Sequence, residues 1–537
     1  MIAHLRSKLH ALLSQREHLS KFLSGFGGTV ILTSVVMTAL LIGVRQLGIL
    51  QPLELNAFDR LMRGRPDEGP DQRLLVVGIT EADLQTLQQY PLSDQTIADL
   101  LEKLEQYKPR AIGLDIFRDI PTGKGRAALK TLLEQPNIIV VCAVSRVDDP
   151  GVPPPPELPA EQVGFADLPI DLGGTLRRST LVTQPPSPET PFPKKHLCND
   201  PSEQLLSLPF QLSRLYLQPQ GIEPELTEEG ELKMGSTVFK RLEENSGGYQ
   251  NADARDYQML INYRSPRQVS EQVSLLDVLN DKIRPELVRD RIVLIGSVAS
   301  SNKDAFYTPY SAGLNDAQKM PGVVVHAQIV SQILSAVLDG RPLIRYWPQW
   351  AEFLWIWSAS LVGGLVAWYI RHPWRFALAE GAAIGVFVGA CYGLFLVGVW
   401  VPLVPPALAL VGTAVGVVSA DRFRNYAGTI YQGVKKGVQG LLKIEVQIDK
   451  EKKEKQVAEI TESDYFKTLQ QRAITLRNRK DDTPSGDASP SNRETQDAKP
   501  ANQESESADE IDYFQQLQQR RKRMRNKEEN KDEESSD

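Results

Sequence analysis

The sequence predicts an α/β domain with a mainly parallel sheet flanked by helices, four transmembrane helices and a largely disordered tail. Two observations carry this prediction. Four apolar runs, at residues 22–45, 350–370, 376–397 and 400–420, each reach the roughly 20 residues that a helix needs to cross about 30 Å of hydrocarbon. Between the first two runs, apolar β-rich segments alternate with helical ones, which is typical of βαβ units.

The four apolar runs indicate an integral membrane protein. The alternative, four buried helices of a soluble core, is disfavoured because the first run is isolated in sequence from the others. The first run could also be a cleaved signal peptide, since basic residues precede it: Arg6, Lys8, Arg16 and Lys21. No small-x-small cleavage site follows it, so we expect an uncleaved anchor.

Basic residues beside the runs predict the orientation. They lie in segment 1–21, in the loop "RHPWR" at 371–375 and in "DRFRNY" after the fourth run. The positive-inside rule then puts segments 1–21 and 421–537 in the cytoplasm and exports residues 46–348. We therefore expect a multi-pass protein of the plasma (inner) membrane with both termini cytoplasmic.

Net charge and cysteines narrow the function classes. A formal charge of -6 with 24% charged residues gives no basic character, so nucleic-acid binding has no support. Cys142 and Cys198 fall in the predicted exported region, where a disulfide is permitted, but their spacing does not pair them. Cys142 lies in the apolar stretch "NIIVVCAV", which favours a buried free thiol.

The predicted exported region contains strands and helices in alternation. Strands are expected at 73–79, 111–116 and 137–144, with helices at 92–107 and 125–135 between them. Two proline-rich segments, 148–159 and 184–202, predict a stiff connection and a surface excursion. The later elements are a helix at 207–217, a strand at 257–264, a helix at 275–279, a strand at 292–295, and a strand followed by a helix within 322–340.

Acidic side chains fall where three predicted strands end. They are Asp83 (or Glu81) after the first strand, Asp115 late in the second, and Asp304 in the loop that begins with Ser297. Ligands of parallel sheets bind outside the carboxyl ends of the strands, so these residues are candidates for a cation, a polyhydroxylated ligand or an amino ligand. The alternative is that each carboxylate only caps a loop or turn.

Two adjacent arginines form a second candidate site. Arg177 and Arg178 follow a Gly-Gly pair and could hold an anion with paired hydrogen bonds. A structural pairing with nearby carboxylates is the alternative.

Motifs for catalysis are missing from the sequence. No glycine-rich phosphate loop follows any strand, and "IGSVASS" lacks the spacing of a nucleophile elbow. The predicted exported region has two histidines, His196 in a proline-rich segment and His326 at a predicted strand-to-helix junction, where a structural hydrogen bond is the ordinary explanation. No zinc-ligand spacing is present. We expect no catalytic residue, no metal and no cofactor, and we expect that the protein is not an enzyme.

Six sequence blocks occur in one order across residues 55–334: "LNAFDRLMRGR", "RAIGLDIFRD", "VGFADLPIDLGGTLRRSTLV", "MLINYRSP", "DRIVLIGSVASSNKDAFYTPYSAG" and "MPGVVVHAQIVSQIL". Together they resemble the type two CHASE domain, the cyclase- and histidine-kinase-associated sensory extracellular domain. The resemblance implies an extracytoplasmic sensor preceded by one span and followed by three. Proteins with this sensor usually continue into a kinase or cyclase, but residues 421–537 lack the apolar periodicity of such a domain.

The tail carries a duplicated motif, at 464–479 and 512–527, on either side of a polar linker whose composition indicates disorder. A helix is also expected at 428–456. Each copy of the motif predicts a short amphipathic basic helix that binds a cytoplasmic protein or the anionic membrane surface. The expected contact residues are Phe466, Leu469 and Arg472 in the first copy and Phe514, Leu517 and Arg520 in the second.

These observations predict a membrane-bound sensor or receptor-like protein. Its exported domain would detect an unknown small ligand or an envelope component and signal through four spans to a non-enzymatic tail that recruits a partner. The alternative is a structural or scaffold protein of the cell envelope with constitutive partner binding; an exported hydrolase is disfavoured. Receptors of this layout are commonly dimers, so a homodimer is a candidate state.

Overall fold

The computed structural model describes residues 26–266, 268–311, 319–462 and 464–477. Residues up to Gln432 form one unit, and the chain from Gly433 onward forms a second. The predictions for segment 1–21, for the polar linker and for the second copy of the tail motif (Phe514, Leu517 and Arg520) lie outside the described residues, as does the side chain of Phe466.

The strands in chain order are β1 (Leu74–Ile79), β2 (Ala111–Asp115), β3 (Ile138–Cys142), β4 (Val163–Phe165), β5 (Arg178–Thr183), β6 (Leu205–Leu206), β7 (Pro224–Leu226), β8 (Leu232–Met234), β9 (Thr237–Phe239), β10 (Tyr257–Leu260), β11 (Glu271–Ser274), β12 (Ile292–Ser297), β13 (Ala305–Phe306), β14 (Met320–Pro321), β15 (Arg345–Tyr346) and β16 (Val399–Trp400).

The α-helices are α1 (Phe26–Gln46), α2 (Gln51–Arg63), α3 (Glu81–Leu87), α4 (Asp94–Gln106), α5 (Arg126–Leu133), α6 (Leu208–Leu217), α7 (Leu275–Leu279), α8 (Gly322–Leu338), α9 (Gln349–Tyr369), α10 (Pro373–Leu396), α11 (Val404–Glu462) and α12 (Asp464–Arg477). Short 3-10 turns lie at Ala160–Gln162, Leu197–Asn199, Gln218–Gln220 and Pro285–Leu287.

A six-stranded sheet in the order β11-β1-β12-β2-β3-β4 forms the centre of the fold. Every neighbouring pair in it is parallel, which confirms the predicted fold class. Helices α2, α6 and α8 cover one face, with Phe58 and Val323 in that core, and helices α4, α5 and α7 cover the other, with Ile97 and Leu129. Because both faces are buried, β1 is apolar throughout instead of alternating.

Smaller sheets connect the outer elements. Strands β10, β5 and β6 form one antiparallel sheet, and β7, β8 and β9 form another. Strands β13 and β14 pair antiparallel just before α8, and β15 and β16 pair in parallel just before α9 and α11.

Helix α4 begins as predicted, because the Ser93 side chain accepts a hydrogen bond from the Thr96 amide at 3.2 Å. The prediction of a strand followed by a helix within 322–340 is wrong, since α8 is helical from Gly322. The apolar run "VVV" resembled a strand because the first turns of α8 are buried on all sides. A fully buried helix has no polar face, so its sequence does not show the helical period.

The expectation that Cys142 is a free thiol is also wrong. Cys142, at the end of β3, forms a disulfide with Cys198, and their Cα atoms are 6.5 Å apart. The bond ties the proline-rich segment 184–202 to the sheet. The two cysteines are 56 residues apart in sequence, so only the tertiary fold brings them together.

Within the described residues, four helical segments are long and apolar enough to cross a membrane: Gly28–Gln46, Gln349–Tyr369, Pro373–Leu396 and Val404–Arg422. They coincide with the predicted runs, except that the fourth helix begins at Val404 and not near Trp400. Trp400 belongs to β16 and is 1% exposed, packed among residues of the α/β domain. Helix α11 continues to Glu462 and includes the helix expected at 428–456, and α12 covers the first tail motif with Leu469 and Arg472 exposed.

Candidate ligand-binding site

A cavity of about 540 Å³ lies at the carboxyl ends of the central strands. Its lining includes the ends of β1, β12 and β2 (Ile79, Ser297 and Asp115) and the residues that follow β3 and β4. The strand register explains this convergence, because Ile79 pairs with Ser297 and Gly296 with Asp115 across three neighbouring strands. The position is the one at which parallel sheets bind ligands.

Asp115 presents a carboxylate that no described residue hydrogen-bonds. Its Oδ2 lies 3.9 Å from Nε2 of His326, which is too long for a hydrogen bond. Burial raises the pKa of Asp115 to about 7. The carboxyl group is therefore about half protonated near neutral pH.

His326 projects from the first turns of α8 and lines the same cavity. It is 2% exposed, and its Nδ1 has no hydrogen-bond partner among the described residues. Burial lowers the pKa of His326 to about 4, against the attraction of Asp304 and Asp167. The imidazole is consequently neutral at pH 7 and does not neutralise Asp115.

Asp304 reaches the cavity from the loop that follows β12. The amide of Gly322 donates to the Asp304 carbonyl at 3.1 Å, and a Cβ atom at position 322 would lie only 2.9 Å from Cγ of Asp304. The carboxylate therefore rests against the N-terminus of α8, which favours negative charge. Asp304 is an exposed residue, and partial desolvation beside the cavity, together with the charge of Asp115, raises the pKa of Asp304 to about 6.

Two further charged groups line the cavity. Asp167 follows β4, and its Oδ2 accepts a hydrogen bond from the Val144 amide at 2.9 Å. Burial raises the pKa of Asp167. Arg118 is buried with its Nη1 3.7 Å from Oδ1 of Asp94, and its Nε has no hydrogen-bond partner among the described residues.

The remaining wall is largely apolar. It includes Leu84, Leu92, Ile116 and Leu168. Tyr90 and Phe117 also line the cavity, and their side chains are 73% and 44% exposed. Among the described residues, no group of three or more His, Cys, Asp and Glu side chains is arranged to hold a metal ion.

Comparison with protein families identifies the sensor. The family model for the CHASE2 domain matches residues 36–365, more than half of the chain. The chain belongs to the CHASE2 family. It is a multi-pass membrane protein with a CHASE2 extracellular sensory domain, and no catalytic output domain is detected by the family models. Neither a search of curated proteins nor a search of solved structures gives a match.

Asp83 of the CHASE2 domain lies apart from the cavity. Its carboxylate accepts hydrogen bonds from the amide and hydroxyl of Thr80, both at 2.7 Å, and from the Leu276 amide at 3.1 Å. It caps α3 and joins α3 to α7. The alternative candidate, Glu81, accepts a 3.4 Å hydrogen bond from the Ser301 amide.

Arg177 and Arg178 of the CHASE2 domain are not brought to Asp115 either. Arg177 makes paired 2.7 Å hydrogen bonds with the carboxylate of Asp59, and both arginines contact Asp171 at 2.8 Å. The Tyr249 hydroxyl donates to the same Asp171 at 2.8 Å. These contacts fit the structural alternative that the sequence left open, although Arg178 also lines a separate cavity of about 590 Å³.

The structure therefore joins Asp115, Ser297 and Asp304 of the predicted set in one cavity and adds His326 and Asp167. Sequence reasoning assigned His326 an ordinary structural hydrogen bond because it placed the residue at the end of a strand. The sequence feature that could have indicated a place in the cavity is the position of His326, four residues after Gly322 and one turn into the helix that follows the Asp304 loop.

Proposed function

We propose that this protein is a plasma-membrane receptor whose exported CHASE2 domain binds a small ligand in the cavity at Asp115. The observation that carries the proposal is the convergence on one apolar-walled cavity of Asp115 and Asp304, whose carboxylates accept no hydrogen bond from a described residue, and of buried His326, whose Nδ1 is unpartnered among those residues. Buried polar groups of folded proteins are almost always paired, so the Asp115 carboxylate and the His326 Nδ1, both nearly inaccessible to solvent, are suited to a ligand in the cavity.

The disulfide supports an exported position for the sensor. Bonds such as Cys142–Cys198 form and persist in oxidising compartments and are rare in the cytosol. The same orientation follows from the basic residues on the opposite side of the spans, and it leaves both termini in the cytoplasm.

The path from the cavity to the membrane follows α8. The N-terminus of this helix contacts Asp304, and its C-terminal end leads through β15 into the spanning helix α9. Strand β15 pairs with β16, which directly precedes the spanning part of α11. A ligand that shifts α8 would therefore act on two spans through one short sheet.

A second connection runs through α2, which follows the first span. Both carboxylate oxygens of Glu54 accept 2.8 Å hydrogen bonds, from the amides of Leu403 and Val404 at the start of α11. The ring of Phe58 lies 4.8 Å from that of Trp400. At the membrane boundary Arg45 forms a buried ion pair with Glu352, which joins α1 to α9.

These contacts support a mechanism in which the ligand favours one of two arrangements of sensor and spans. The tail then acts without catalysis, by recruiting a cytoplasmic partner through the motif of which α12 is the first copy. Exposed Leu469 and Arg472 on α12 and the duplication in sequence support this output.

The proposal is tested with the full-length protein in lipid nanodiscs. We expect that members of a library of amino acids, amines, sugars, nucleosides and organic acids raise its unfolding temperature. The variant Ala166→Leu, which fills the cavity, should lose this response, and the matched variant Ala128→Leu on the exposed face of α5 should keep it. If no compound binds, or if Ala166→Leu responds like the unaltered protein, the receptor proposal fails and the scaffold alternative gains support.

The output is tested separately in cells. Deleting residues 464–527 should abolish recovery of a cytoplasmic partner with the receptor while leaving ligand binding intact. Recovery of the same partners without the tail would contradict the recruitment role.

A further inference from the structure

We infer that the cavity ligand is an organic ammonium, a molecule with a positively charged nitrogen on a compact apolar body. This inference rests on the proposed receptor function and names the class of ligand. It follows from the charge around the cavity, from the buried imidazole and from the nature of the walls.

The charge of the cavity is negative. Asp115, Asp304 and Asp167 line it, against one cation among its described lining residues, Arg118, whose Nη1 lies 3.7 Å from Oδ1 of Asp94 and whose Nε has no hydrogen-bond partner among the described residues. The carboxylate of Asp167 accepts a hydrogen bond from a backbone amide, whereas no described residue donates to the carboxylates of Asp115 and Asp304. An ammonium group that reaches either of these two carboxylates gains charge-assisted hydrogen bonds.

The buried imidazole of His326 strengthens the attraction of the cavity for a cation. His326 is neutral and lies 3.9 Å from Asp115, so it leaves the carboxylate charge for the ligand. Its Nδ1 is buried and has no hydrogen-bond partner in the part of the chain that the structure describes, so a ligand can supply one. A neutral imidazole also has an acceptor nitrogen for an N–H donor.

The size and the walls of the cavity argue against an inorganic ion and suit an organic one. A volume of about 540 Å³ is far larger than a metal ion, and the described residues offer no metal-ligand group. The walls carry Leu84, Leu92 and Ile116, which suit the apolar body of an organic ligand. Exposed Tyr90 and Phe117 add aromatic rings, which attract organic cations through their π faces.

Ammonium binding should be linked to proton release. The titratable groups facing the site are Asp115 from β2, Asp304 from the β12 loop, Asp167 after β4 and His326 from α8, with Arg118 remaining charged. The ligand favours ionised carboxylates, while the empty site holds protons on Asp115 and Asp304 below their raised pKa values. Affinity should therefore fall as the pH is lowered from about 8 to about 5, and His326 stays neutral over most of this range.

The test uses full-length protein in nanodiscs and calorimetric titration with phenethylammonium and tetramethylammonium. The controls are two molecules of similar size to the first, neutral 2-phenylethanol and anionic phenylacetate. We expect binding of an ammonium probe with proton release, no binding of the isosteres, and a loss of roughly tenfold or more in affinity for Asp115→Asn and for Asp304→Asn. The matched variant Asp99→Asn, on an exposed position of α4, should bind as the unaltered protein does.

The outcomes separate this inference from the receptor function. Equal or tighter binding of 2-phenylethanol or phenylacetate, lost in Ala166→Leu, overturns the ammonium class but keeps the receptor. Ammonium binding that is unchanged in both Asp variants also overturns the class. If neither the ammonium probes nor any library compound binds, both proposals fail.

Discussion

Oδ2 of Asp115 lies 3.9 Å from Nε2 of His326, yet burial keeps the two groups from forming an ion pair at neutral pH. It raises the pKa of Asp115 to about 7 and lowers that of His326 to about 4. Both shifts favour the uncharged forms, so the site is kept at a cost in stability that a ligand can relieve.

This relationship predicts a pH-dependent effect of Asp115→Asn on the unliganded protein. The folded-state pKa of Asp115 lies above its unfolded value, so the stability that comes from its protonated form is present at low pH and is lost as the pH rises through about 7. The variant should therefore gain about 1–3 kcal/mol relative to the unaltered protein between about pH 5 and about pH 8. Unfolding temperatures measured across this range check it, with Asp99→Asn as control; a pH-independent difference contradicts it.

Gly296 should be required for the close packing of α8 against the central sheet. A Cβ atom at this position would lie 2.6 Å from Cβ of Val323, so Gly296→Ala must push α8 from the sheet. Overpacking of this kind costs about 1–3 kcal/mol. Denaturant unfolding measures the loss, and Gly173→Ala, which meets nothing within 4 Å, is the control. Equal stability of both variants would disprove the close contact.

Glu54→Gln should loosen the start of α11. The change removes the charge that accepts from both the Leu403 and Val404 amides and leaves one oxygen where there were two. Hydrogen exchange of peptides covering 400–410 should accelerate, by roughly tenfold if about 1.4 kcal/mol of protection is lost. Glu102→Gln on the exposed side of α4 should leave this exchange unchanged. Unaltered exchange in Glu54→Gln would mean that these hydrogen bonds do not hold the span.

Arg177→Met should destabilise the sensor strongly. It leaves Asp59 buried without its paired donor, and breaking a buried ion pair typically costs about 3–5 kcal/mol. The double variant Asp59→Leu/Arg177→Met removes both charges and should recover part of the loss, as measured by thermal unfolding. If Arg177→Met keeps its stability and loses ligand binding, the arginine belongs to a ligand site and not to a structural pair.

Protein isolated from cells under non-reducing conditions should contain one alkylatable thiol after unfolding, that of Cys391, because Cys142 and Cys198 are joined. Reduction should expose all three cysteines. Replacing the pair with Ser should cost about 2–5 kcal/mol. Three free thiols in the untreated protein would contradict both the disulfide and the exported location that it supports.

Apolar periodicity was sufficient for the strands β1, β2, β3 and β12, for α4 and for the positions of the spans, since these depend on local sequence, but the short edge strands β4 and β11 of the central sheet were not predicted. It was insufficient for α8, where burial on all sides removes the polar face that marks a helix. The same residue-level reasoning found Asp115, Ser297 and Asp304 because strand ends can be read from sequence. It could not separate them from Asp83, whose carboxylate is used by Thr80 and Leu276, the latter distant in the chain.

The sequence by itself determined a membrane protein with a parallel α/β sensor, because span length and strand alternation are properties of contiguous residues. Its ordered blocks also determined the family. Only the tertiary structure decided the disulfide of Cys142 with Cys198 and the meeting of Asp115 with His326. Both pairs join residues far apart in the chain, and the distance between Asp115 and His326 depends on the strand register and on the close packing of α8 at Gly296.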